Sequence, residues 1–208
     1  MAGFKVHMVG GINAAAISTA CAFSTGMASL WALICIFSFG VVGGILPDLD
    51  SDTGRPIRLL FILVSSLLVL VTISSLLSNG STFATIIISV GLVYCASLTV
   101  FFVGKKFTVH RGVMHSIPFA FFVGVVAAIV SSSLLGEASL WVGMTAFAGV
   151  LVHLVLDELN SLGVHYSCIP YIKKSFGTAL KFTGKSLTTT CILYGTTIIL
   201  AFVYVFIV

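Results

Sequence analysis

Apolar residues run through the chain in seven stretches, near 6–24, 28–46, 59–78, 83–103, 116–135, 138–157 and 187–208. Each has about the 18 residues or more that a helix needs to cross a hydrocarbon core. The first is the weakest, because Gly10, Gly11, Asn13, Ser18 and Thr19 dilute it. Small residues still suit close helix packing in a membrane, so this stretch either spans or dips in and returns. The pattern predicts an all-α fold, a polytopic membrane helix bundle of about seven transmembrane or re-entrant helices. Residues 1–208 form one integral membrane domain in this reading.

The connections alternate in character. Those near 24–27, 79–82 and 136–137 are short, and Glu137 is their only charge. The others hold every basic residue: Lys5, Arg55, Arg58, Lys105, Lys106, Arg111, Lys173, Lys174, Lys181 and Lys185. By the positive-inside rule that face is cytoplasmic and the C-terminus lies outside. The long connection 158–186 interleaves Tyr166, Tyr171, Phe176 and Phe182 with four lysines. It reads either as an ordinary interfacial loop, with rings and ammonium groups at headgroup level, or as a flap over a lipid substrate.

Composition sharpens the class. Charged residues make up 8% of the 208 and hydrophobic residues 59%. A water-facing surface cannot be clothed from so few charges, so a soluble domain is excluded. Nothing here suits a nucleic-acid partner; membrane lipids are the expected surroundings, and the oligomeric state is open. The five cysteines, Cys21, Cys35, Cys95, Cys168 and Cys191, form no CxxC pair and mostly sit in apolar runs. They read as small apolar residues rather than as disulfide partners or a thiolate zinc site. Lys5, an apolar run and Ala20-x-Ala22 imitate a cleaved signal peptide, but the run is rich in Gly, Asn and Ser and leads straight into another apolar stretch.

The candidate chemistry gathers at the basic-side ends of the stretches. Asp48, Asp50 and Asp52 follow Pro47; His110, Arg111 and His115 lie in His-Arg-Gly-Val-Met-His; His153 and Asp157 close the sixth stretch; His7 sits beside Lys5. At about 100° per residue, His153 and Asp157 share a helix face with Asn160, while Glu158 points roughly 140° away and is left out. If the aspartate run is extended, alternate carboxylates fall on one side. Ser116 is a good N-cap with Pro118 in the first turn, which would leave unpaired N–H groups beside His115 and Arg111. Such a helix start suits a phosphate, and the Arg111 guanidinium matches phosphate oxygens. Imidazoles with carboxylates form a mixed N/O set for a divalent metal, zinc first, then manganese or iron. Two to four carboxylates with three or four imidazoles are at hand, and the candidates for acting on substrate are Asp50, His110 and Arg111.

At these residues the chain resembles the YdjM-like family of bacterial inner-membrane proteins, described as membrane-bound metal-dependent hydrolases. The likeness runs from His7 to about Pro170 and is carried by Leu46-Pro-Asp-Leu-Asp50, His110-Arg-Gly-Val-Met-His-Ser116 and His153-Leu-Val-Leu-Asp157. It implies that His7, Asp48, Asp50, His110, His115, His153 and Asp157 form the metal-binding polar core, with hydrolysis of a phospholipid or another lipid phosphate ester at the cytoplasmic face of the inner membrane. Two other classes compete. A transporter would carry ionisable residues near the midplane, where this chain has none. A structural or regulatory membrane protein would use a metal only to tie helix ends together.

Overall fold

The computed structural model describes residues 4–26, 28–50, 55–107, 114–164, 170–172, 177, 180–183 and 186–208. Among them each apolar stretch carries an α-helix. These are α1 Phe4–Ser24, α2 Leu30–Ile45, α3 Arg55–Ser78, α4 Phe83–Phe107, α5 Ile117–Leu135, α6 Ser139–Leu159 and α7 Leu187–Ile207. Four segments are long and apolar enough to cross a membrane: Phe4–Ser24, Leu30–Asp48, Ile117–Leu159 and Leu187–Ile207. The third holds both α5 and α6, separated by a 3-10 turn at Gly136–Ala138. The diluted first stretch is thus a continuous helix of span length.

Helices α1, α2, α5 and α6 pack on one another and form the centre of the bundle. Helix α7 lies against α5, and α3 pairs with α4 while touching α2. Lipid tails are as apolar as leucine, so burial gives these helices little reason to associate; close packing must do it. Small residues supply that closeness. A Cβ on Gly44 would stand 2.6 Å from the Gly11 Cα, so only paired glycines let α1 and α2 approach so nearly. On α6, a Cβ at Gly149 would drive into the α2 backbone at Gly40 and Gly44. The interior is correspondingly small-grained, with Ala15, Ala22, Ala32, Ala127, Ala128 and Ala146 all buried.

Two features of the connections differ from the reading of the sequence. Leu46–Asp50 is a 3-10 turn continuing α2, not an extended run, so the alternation that would align Asp48 with Asp50 does not apply. The 158–186 connection contains a short antiparallel hairpin, β1 Leu162–Val164 with β2 Pro170–Ile172, pairing Gly163 with Tyr171. Among the described residues, three hydrogen bonds also tie that connection to the bundle. The Gly177 N–H donates to Glu158 Oε1. Ile117 N–H donates to the Lys181 carbonyl at 3.0 Å, and Tyr194 donates to the Phe182 carbonyl at 3.1 Å.

Candidate metal centre

Chain direction alternates through the bundle, so the start of α1, the end of α2, the start of α5 and the end of α6 meet at one end. His7 stands in the first turn of α1, and Asp48 in the 3-10 turn after α2. His115 precedes α5 by two residues, while His153 and Asp157 occupy the last turns of α6. All five side chains are buried, His153 completely. Every buried His, Asp and Glu among the described residues lies at this end.

Asp157 is the hub. Its Oδ1 lies 3.3 Å from His7 Nε2, and its Oδ2 lies 3.6 Å from His115 Nε2 and 3.9 Å from His153 Nε2. On the other side, His153 Nε2 is 3.6 Å from Asp48 Oδ1. The rings crowd together as well. His7 stacks on His153 with centroids 3.8 Å apart, and His115 meets His153 edge-on at 5.7 Å.

One hydrogen bond decides how this cluster is to be understood. His153 Nδ1 lies 2.8 Å from the Gly44 carbonyl oxygen, which can only accept, so Nδ1 carries the proton. In a neutral ring Nε2 is then a bare lone pair. It faces two carboxylates, has no hydrogen-bond partner among the described residues, and is wholly shielded from solvent. Both nitrogens of His7 also lack a hydrogen-bond partner there. Lone pairs aimed at carboxylate oxygens in a dry interior repel unless something positive lies between them.

A divalent cation fits that requirement. Metal–ligand bonds of about 2.0–2.2 Å place neighbouring ligand atoms roughly 3–3.5 Å apart, close to the spacings here. Two groups could hold an ion, His7 with Asp48 and His153, and His115 with His153 and Asp157; within each, the ligand atoms lie within 4.8 Å of one another. The His153–Gly44 bond is the usual outer partner of a metal-binding imidazole, fixing its tautomer and direction.

Of the residues expected at the site, His7, Asp48, His115, His153 and Asp157 come together. Asp50 belongs to the 3-10 turn, its side chain outside the described residues, as are His110 and Arg111 altogether. The helix start expected to cradle a phosphate is a poor one. Ser116 holds the N-cap position in extended geometry but makes no side-chain cap hydrogen bond, the Ile117 N–H is taken by Lys181, and Pro118 has none to offer. Glu158, set aside for pointing away, is nevertheless buried, accepting from the Gly177 N–H. Helical spacing alone does not show the Gly177 contact, which comes from 19 residues further along the chain. Gly44 also escaped notice as a site residue, because its contribution is a backbone carbonyl.

The chain belongs to the YdjM inner membrane protein family, whose model matches residues 1–208, the whole chain. Neither a curated protein nor a solved structure matches it.

Proposed function

From membership of an inner membrane protein family and from the buried cluster, we infer a membrane-embedded metal-dependent hydrolase that works at headgroup depth on a lipid phosphate ester. The observation that carries this reading is the His153 Nε2 lone pair, aimed between Asp48 and Asp157 while Gly44 holds the other nitrogen. His7, Asp48, His115, His153 and Asp157 would hold the cation, with zinc the best match to three imidazoles and two carboxylates. A cation bound there supplies Lewis-acid polarisation of a phosphoryl oxygen.

The chain's own groups do the rest. Asp157 faces three imidazoles and keeps them gathered on one side of the cluster. The apolar bundle beneath keeps water from the far side of the cluster. Arg111, four residues before His115, is the group suited to grip a phosphate as a planar fork. Asp50 and His110 are the candidates for moving the proton of an attacking water. The positive-inside rule supports a cytoplasmic position for this end, with seven spans and the C-terminus outside.

The test is release of inorganic phosphate or a headgroup from lipid phosphates by protein in nanodiscs. Activity should vanish on chelation, return with zinc or manganese, and be lost in His115→Ala and Asp157→Ala. Undiminished turnover in both variants would remove these residues from the reaction. A second reading draws on the near-complete burial of all five side chains, since closed sites are more often structural than catalytic. Tight metal retention without turnover on any lipid phosphate would favour a cation that merely ties four helix ends together.

A further inference from the structure

An apolar cavity of about 260 Å³ lies between α2, α3, α5 and α6. One end is formed by Leu46 and Phe119, two residues from Asp48 and four from His115. It runs past Phe39, Leu68 and Val126 to Val130, which is exposed at the far end. From Phe119 to Val130 the α5 axis advances about 16 Å at ~1.5 Å per residue. That is close to half of a ~30 Å hydrocarbon core, the depth of one leaflet.

We propose that this groove binds one acyl chain of an anionic lipid whose headgroup lies at the His/Asp cluster. This rests on the lipid-substrate reading above and adds the feature that selects the substrate. Three observations agree. The groove begins at the turns that carry Asp48 and His115, so a molecule filling it has its polar end at the cluster. Its length is that of a leaflet's tail rather than of a short ester. Cationic residues stand at the same end: Lys5 is exposed two residues before His7, and Lys181 holds its carbonyl against the start of α5. They complement a negative headgroup and would disfavour a neutral or cationic one. The lining itself offers nothing to a polar ligand.

Photolabelling tests this without requiring turnover. Phosphatidic acid with a diazirine midway along one chain is placed in phosphatidylcholine nanodiscs with the full-length protein, illuminated, and its adducts mapped by mass spectrometry. Adducts should concentrate on Leu68, Val126 and their neighbours. Val126→Trp, and independently Leu68→Trp, should reduce them about tenfold, which corresponds to losing only two or so buried methylenes. Both variants should keep the metal content of the parent, showing that they fold. Adducts spread evenly over outward residues such as Ile198 and Phe202 of α7, and unchanged in both variants, would overturn the proposal. Groove labelling without phosphate release would keep the acyl site and refute the hydrolase. Phosphate release without groove labelling would do the reverse.

Discussion

His153 makes three commitments at once: its Nδ1 proton goes to Gly44, its ring stacks on His7, and its Nε2 faces Asp48 and Asp157. Only the last is unfavourable without a cation, and that makes Asp48 a diagnostic position. Asp48→Asn keeps the shape but offers an amide N–H to the His153 lone pair. With metal chelated, the variant should be more stable than the parent by about 1–2 kcal/mol, the scale of relieving a buried unsatisfied group. For a chain of this size that is a rise of roughly 2–8 °C in melting temperature. Added zinc should then stabilise the variant less than the parent. A chelated variant less stable than the chelated parent would mean that Asp48 serves His153 as a direct partner, with no cation needed. The i, i+4 spacing of His153 and Asp157 made their shared face legible from the sequence. The backbone carbonyl that orients the ring was not, since every residue has one and only the packing of α2 on α6 selects Gly44.

Elements meet here through glycine, and the site inherits their spacing. Gly11 and Gly44 set the distance between α1 and α2, and His7 lies one turn from Gly11 on α1. Gly44→Ala puts a methyl 2.6 Å from the Gly11 Cα, so the two helices must part by the better part of an ångström. That movement carries His7 away and tilts the carbonyl that holds His153. The expected result is metal affinity lower by about 10–100-fold, the loss typical when an outer partner is disturbed, with helical content retained. Gly91→Ala on α4 has open space around it and serves as the control; it should leave metal affinity unchanged. Equal effects from the two would show that the Gly11–Gly44 contact does not position the site. The helices themselves were readable, because runs without charge leave few alternatives in a membrane. The connection after α6 was not: the hairpin of Leu162–Val164 with Pro170–Ile172 has only three residues in each strand, and the Gly177–Glu158 bond joins residues 19 positions apart. A local reading of the Ser116–Pro118 helix start likewise missed Lys181, whose carbonyl arrives from sixty-odd residues away and takes the N–H that a phosphate would need.

At the scale of the whole molecule, alternating helix direction converts scattered polar residues into one cluster, and among the described residues Lys5 and Lys181 share that end. If this face is cytoplasmic and all seven helices span, a C-terminal alkaline phosphatase fusion should be active and a C-terminal fluorescent-protein fusion dark. The opposite pair of results would reverse the orientation or change the number of spans. The clustering itself was foreseeable only as a convergence, since no single motif specified which His met which Asp. The most direct test of the account is the metal content of protein purified without chelator, for the parent, His153→Ala and Asp157→Ala. The account predicts a divalent cation retained by the parent and lost from both variants; retention in the variants equal to the parent, or none in a folded parent supplied with zinc, would contradict it.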